Sequence, residues 1–377
     1  MNTTKTLNPG STVRYRKSQL LLLFGITSDD LDEALNNLNI EESDEGFSYY
    51  QAREIGKFFF YTEKKTGITC VTNDKGGVGK TLNTYTLCNL LALRGKKVLV
   101  IDLDGQRNLT SFFMSGSPEL TFLNYFQENK HSSFENIAVD IDDSISIIPS
   151  NNKLGGVDPI LDEYFIGNRD RGGSNAFGGI DPEKLLDFVN DFTRFCSKFD
   201  EVIIDSTPSF SISNQIMFSI STRILAPIEP ERFNIGGINA VTDFAESVEY
   251  MLDLEHPIPL YFCFNNRSNL SGRATKTGMK VLRKHIEKRG YSVLDTGIPF
   301  SEWFYFGAHM GVPFWLFDGE VEGEVFEEFF EKDKIDEMKN LVRTFSSLMS
   351  EIGLCENSKR KAESSKFGKQ KSLRDLW

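Results

Sequence analysis

The sequence predicts an α/β fold: a mainly parallel, twisted sheet flanked by helices, preceded by a small winged-helix-like module. Three observations predict it. From about Gly67 onward, short apolar runs alternate with helical stretches. A glycine-rich turn joins the first of these runs to the first helix. The 377 residues are too many for one small core and suit one large domain with an appendage.

Residues 1–65 differ in pattern from the rest of the chain. "RKSQLLLLFGITSDDLDEALNNLNI" predicts two short helices about a turn at Gly25, with Thr27 or Ser28 capping the second. "GFSYYQAREIGKFFFYTE" predicts a β-rich wing leading into a helix or strand. In the main domain, residues 66–355, "GITCVTN" and "KKVLVIDLD" read as buried strands. "KTLNTYTLCNLLALRG" between them reads as a helix ended by Gly95. "SISIIPS", "FDEVIIDST", "RILAPIEP" and "PLYFCFNN" supply further strands separated by helical stretches, which implies a parallel sheet covered on both faces. Residues 167–179 read as a polar surface loop, and residues 356–377 as a basic, disordered tail.

Composition excludes several classes. Hydrophobic content of 40% and charged content of 25% are ordinary for a soluble protein. The N-terminus has no apolar stretch behind its charges, and "LLLLFGI" is far shorter than the ~20 residues a membrane span needs. Cys70, Cys88, Cys196, Cys263 and Cys355 stand singly, which argues for reduced thiols and against disulfides, zinc or an iron–sulfur cluster. The expectation is a cytoplasmic protein without membrane attachment. A net charge of −12 argues against a wholly basic nucleic-acid binder, yet residues 265–290 and 358–377 are locally basic.

The stretch "VTNDKGGVGKTLNTYT" carries the chemistry. It lies between a predicted strand and a predicted helix, the context a phosphate-binding loop requires. Gly76, Gly77 and Gly79 let backbone N–H groups turn towards phosphate oxygens, and the helix N-terminus adds its positive end. Lys80 is expected to reach β- and γ-phosphates and the Thr81 hydroxyl to hold Mg2+, with Val78 and Leu82 completing the loop. Asp205, ending an apolar strand, is the expected magnesium carboxylate through a water shell.

"KGGVGKT", with an extra lysine ahead of its glycines, resembles the deviant Walker A motif of the ParA/MinD family of P-loop ATPases. The resemblance runs in order through "VLVIDLDGQRNLT", "FDEVIIDSTPSFS", "APIEPERFNIGGI" and "IPFSEWFYFGAHMGVPFWLFD". It implies that residues 66–355 form an ATPase domain. It further implies that Lys75 crosses a homodimer interface to the phosphates bound by the other subunit. Asp104 would orient or activate the attacking water, while Asp102 supports the site. Asn265 and Arg267 lie where family members contact adenine. Gly105, Arg107, Leu82 and Thr207 depart from the usual pattern without removing a charged group the chemistry needs.

Within the family, the scattered cysteines do not suit the iron-protein branch, and the tail lacks the apolar face of a membrane-targeting helix. The DNA-partition branch remains. It implies an ATP-dependent dimer that associates with the nucleoid, binds DNA without sequence preference and is stimulated by a ParB-like centromere-binding partner. Arg273, Lys276, Lys280, Arg283 and Lys284 are the expected DNA contacts. The N-terminal module resembles the helix-turn-helix extension of larger ParA proteins. Its predicted recognition helix carries Asp29, Asp30, Asp32 and Glu33, so operator DNA binding and a dimerisation or docking role both stand as readings. Two further readings of the whole chain are a nucleotide-switched repressor of its own operon and an ATPase that positions a cargo other than DNA.

Overall fold

The computed structural model describes residues 13–60, 66–126, 133–152, 157–165, 182–207, 212–230, 235–252, 257–265, 272–299, 301–309, 312–316, 320–321, 324–325 and 331–354. The polar loop 167–179 and the tail 356–377 lie outside them.

The N-terminal module runs β1 (Arg14–Tyr15), α1 (Lys17–Phe24), α2 (Ser28–Leu38), β2 (Phe47–Ser48) and α3 (Tyr49–Phe60). Gly25 closes α1 in the left-handed region, φ 63°, and Thr27 caps α2, its hydroxyl accepting from Asp30 N at 3.2 Å. The expected wing amounts, among the described residues, to the short antiparallel β1–β2 ladder. After Ser48 the apolar residues fall at helical spacing, with Tyr49, Ala52, Ile55 and Phe59 buried, and the chain forms α3.

The main domain continues with β3 (Gly67–Val71), α4 (Lys80–Leu93), β4 (Val98–Asp102), α5 (Asn108–Phe113), α6 (Phe134–Ile137), β5 (Val139–Asp140) and β6 (Ile145–Ile148). Next come α7 (Val157–Phe165), α8 (Pro182–Cys196), β7 (Glu201–Asp205), α9 (Ile212–Ile220), β8 (Arg223–Ile228) and α10 (Ile235–Leu252). It ends with β9 (Leu260–Phe264), α11 (Arg273–Lys288), β10 (Ser292–Val293), α12 (Glu302–His309), β11 (Glu320–Val321), β12 (Glu324–Val325) and α13 (Lys332–Glu351). No described helix is long and apolar enough to cross a membrane.

The main sheet has the order β10–β9–β8–β3–β7–β4–β6–β5, parallel throughout except for the edge strand β5. Alternate residues feed opposite cores: Val98 and Val100 of β4 face one side, Leu99 and Ile101 the other. Both sides are covered by helices, which is why β3, β4 and β7 are buried along their whole length. Register aligns Val71 of β3 with Asp205 of β7, and Asp205 with Asp102 of β4. Three strand ends therefore converge where the glycine-rich turn leaves β3, the end of an α/β sheet at which ligands bind.

The N-terminal module shares its core with the main domain. Leu20, Phe24, Phe47 and Phe59 belong to the same apolar cluster as Leu87 and Leu91 of α4 and Phe345 of α13. At Gly56, α3 passes so close to α4 that an added Cβ would stand 2.2 Å from the Leu93 carbonyl oxygen. Arg94, 3% exposed at the end of α4, ties the parts together. Its Nη2 donates to Leu23 O at 3.1 Å and to Ser346 Oγ at 2.7 Å, and its guanidinium lies 4.6 Å from the Phe60 ring centroid. Arg94→Ala leaves the Leu23 carbonyl unsatisfied beside a new cavity. The expected loss is about 2–4 kcal/mol of stability in urea unfolding followed by tryptophan fluorescence. A loss below about 0.5 kcal/mol would show that the module and α13 dock independently of this side chain.

Candidate functional site

The turn between β3 and α4 is held from both sides. Asn73 Nδ2 donates to Pro227 O at 2.5 Å, and Asn73 Oδ1 accepts from Lys75 N at 2.9 Å, tying the start of the loop to the end of β8. At the far end, Gly79 takes φ 90° and leads into α4. A Cβ there would stand 2.1 Å from Asn265 Nδ2, so only glycine fits both the backbone and the neighbour. Asn265, just past β9, donates that Nδ2 to Val78 O at 2.5 Å. The structure thus places Asn265 against the loop itself, while Arg267 lies outside the described residues.

Lys80 is 7% exposed, and its Nζ donates to the carbonyls of Asn73 and Lys75 at 3.3 Å each. Burial lowers its pKa, opposed by the charges of Asp205, Asp104 and Asp74. Asp205 is 1% exposed, and neither carboxylate oxygen has a hydrogen-bond partner. Burial drives its pKa well above the carboxylate range, reinforced by Asp102 and opposed by the nearby Thr81 hydroxyl and Lys80 ammonium. A buried carboxylate left in this condition is costly unless a cation faces it. The donor set suits Mg2+, which favours oxygen ligands and takes one or two carboxylates together with substrate phosphates. No cluster of three or more His, Cys, Asp or Glu placed to hold a metal ion occurs among the described residues.

Asp102 and Asp104 are sorted by their contacts. Asp102 is fully buried and accepts from Thr110 N at 2.8 Å, Thr110 Oγ1 at 2.7 Å and Asp104 N at 3.1 Å. It is a brace between β4 and α5. Asp104 is half-buried, and its Oδ1 accepts from Gln106 N at 2.9 Å. Arg107 comes next in the left-handed region, φ 53°, and its guanidinium reaches the Gly116 carbonyl. A conformation that favours glycine is thus held here by an arginine anchored at its far end.

Two side chains missed by sequence reasoning lie beside the loop. Glu229, the residue after β8, forms an ion pair with Lys75. Asp74 turns a buried Oδ1, without a hydrogen-bond partner, towards Gly237 at the start of α10. The only signal for either was position: an acid beside the loop lysine, and an acid directly after an apolar strand.

The expected basic surface is partly rearranged. Lys276, Lys280 and Lys284 are exposed on α11, and Lys288 continues their four-residue spacing. Arg283 turns inward instead, donating to Val293 O and Leu294 O at 2.9 Å each, with Asp295 at 3.3 Å. Its helical position faces β10, whose carbonyls it satisfies. Arg273 begins α11, and its side chain lies outside the described residues. In the N-terminal module, Arg14 and Lys17 pair with Glu45 at 3.5 Å and Asp32 at 2.7 Å.

Residues 66–255 match the family model described as AAA domain. An uncharacterised protein of Methanocaldococcus jannaschii, MJECL24, is 30% identical over 232 residues, covering 59% of this chain and 78% of that protein. The virulence plasmid ParA family protein pGP5-D of Chlamydia muridarum is 32% identical over 176 residues, 46% of this chain and 59% of its own length. The chromosome-partitioning ATPase Soj of Treponema pallidum is 24% identical over 251 residues, 67% of this chain and 90% of its own length. An ATP complex of a Cyanothece McdA variant shares the fold with a TM-score of 0.58 at 17% identity, covering 78% of this chain and 99% of that one.

The burial of Asp102 generates a pH dependence. Burial, opposed by the Thr110 and Asp104 hydrogen bonds, pushes its pKa up to about 6. A carboxyl whose pKa is raised on folding binds its proton more tightly in the folded state. Its contribution is therefore most favourable below about pH 4 and declines as pH rises towards 6. Asp102→Asn removes this titration. Unfolding free energies from urea titrations at pH 4 to 7 should fall with pH more steeply in the unaltered protein than in the variant, by an amount of order 2 kcal/mol. Parallel profiles would assign the titration to another group.

Proposed function

The chain belongs to the ParA/MinD-type P-loop ATPases of the AAA-domain family, and from that premise we propose that it is a magnesium-dependent ATPase driving DNA partition. The observation that carries this reading is the convergence of Lys80, Thr81 and the unpartnered Asp205 carboxylate at adjoining strand ends, with Lys75 in the same loop. The loop amides and Lys80 would hold the triphosphate, with Thr81 and, through water, Asp205 holding the magnesium ion. When bound, that ion supplies positive charge to the phosphate oxygens. Asp104 is assigned the orientation of the attacking water, because its half-exposed carboxylate opens from the same strand end on which Asp102 is fully committed. Asn265 is assigned a contact with adenine through the amide oxygen left beside the bonded Nδ2.

In the same reading Lys75 serves the nucleotide of a second subunit, so that ATP pairs two copies. The pair then binds DNA without sequence preference through the lysines of α11, and a ParB-like partner stimulates hydrolysis and release. Relatives that carry partition in their names support this branch.

Lys75→Ala should bind ATP as a monomer yet fail to dimerise with it. Each crossing lysine adds a charge-assisted contact worth ~1.5–3 kcal/mol, and a symmetric pair has two. Light scattering with magnesium and a slowly hydrolysed ATP analogue reads the outcome; a variant that dimerises at ordinary concentrations would remove the crossing role.

The DNA surface has its own test. Changing Lys276, Lys280 and Lys284 together to glutamate should weaken binding to arbitrary duplexes. It should also reduce the slope of log affinity against log salt by about 2–3. An unchanged slope would return these lysines to solvent.

A further inference from the structure

We propose that Glu229 is a positioning residue for Lys75: it holds the lysine within its own subunit and so restrains ATP-dependent dimerisation. The proposal deepens the dimer reading and rests on it. Four observations carry it. Lys75 Nζ is hydrogen-bonded to Glu229 Oε2, and the two form an ion pair. The Glu229 side chain is only 12% exposed whereas that of Lys75 is 42% exposed, so the acid is the fixed partner and the lysine the arm that can leave. Both backbones are fastened to the same strand end, since Asn73 links Lys75 N to Pro227 O, two residues before Glu229. Finally, the Lys75 carbonyl accepts from Lys80 Nζ at 3.3 Å.

In the proposed dimer the Lys75 ammonium leaves Glu229 of its own subunit for the phosphates of the other nucleotide. Dimerisation in the proposed form therefore breaks two such pairs, one per subunit. The fourth observation connects the grip to nucleotide. A phosphate competes for the Lys80 ammonium that otherwise bonds the Lys75 and Asn73 carbonyls, which loosens the segment carrying Lys75. Bound ATP then favours release of the arm, and the dimer forms only where a second nucleotide receives it.

Glu229→Gln keeps the shape and removes the charge. A partly exposed pair is worth little in water, about threefold in an equilibrium constant, and two of them make about tenfold. With magnesium and a slowly hydrolysed ATP analogue, light scattering across a protein dilution series should place the dimer midpoint of Glu229→Gln about tenfold below that of the unaltered protein. Calorimetry on dilute monomer should show analogue affinity unchanged, which a general distortion of the loop would not leave intact. Glu229→Asp, which restores the charge, should bring the midpoint back towards the original. A dimer whose midpoint is equal or higher in Glu229→Gln overturns the restraint. Failure of the unaltered protein to dimerise with the analogue overturns the dimer reading itself, and the restraint with it.

Discussion

Buried negative charge at the end of the sheet is the constraint on which this structure depends. Register places Asp205 opposite Asp102 on one side and Val71 on the other, so two carboxylates come together where the glycine-rich loop begins. Such an arrangement is costly in a medium that screens charge poorly. The fold answers it differently at each position. Asp102 is given three donors from its own neighbourhood and becomes structural. Asp205 is given none that satisfies its oxygens, and Lys80 is buried beside it with a lowered pKa. A site in which an acid and a base are both held away from their preferred ionisation is one that a phosphate and a divalent cation together would relax.

The same loop begins α4, and α4 is the axis of the molecule. Its residues are buried nearly all round, because the sheet lies on one side and α3 and α13 on others. Arg94 at its end binds α1 and α13, while Lys80 at its start faces the phosphate-binding loop. The N-terminal module is therefore packed against the far end of the helix whose near end carries the site. Movement of α4 would be felt by α1, α3 and α13 together, since each contributes side chains to one continuous core. The module is thus part of the main core and not an appendage tethered to it.

Much of this was legible in the sequence, for identifiable reasons. The strands β3, β4, β7, β8 and β9 are short apolar runs bounded by polar residues, and each lies where that pattern places it. The loop was legible because glycine and lysine spacing there is dictated by backbone geometry, as the close approach of Gly79 to Asn265 illustrates. The supporting role of Asp102 was legible from its place within the strand end, and its three hydrogen bonds agree with it. The two-residue strands β5 and β10 were not legible, being too short to show a period. The inward turn of Arg283 was equally hidden: its carbonyl acceptors lie ten and eleven residues away, and helical spacing alone groups it with the lysines. The pairing of Glu229 with Lys75 spans 154 residues, and only the juxtaposition of β3 and β8 creates it.

That last pairing changes how the loop lysine should be understood. By the family resemblance, Lys75 is a cation expected to reach a partner subunit. In the folded chain it already has an acid, and any contact it makes elsewhere is a difference between two interactions rather than a gain from water. In the proposed dimer, a charge-assisted contact to a triphosphate would have to exceed the one that Lys75 leaves at a carboxylate whose side chain is only 12% exposed. Without nucleotide in the second subunit of the proposed dimer the balance would reverse, because the lysine would leave an acid for no acceptor of comparable charge. Under the proposed restraint, the energetic requirement for ATP would reside in that exchange, and the Lys75–Glu229 pair of the single subunit would make dimerisation conditional.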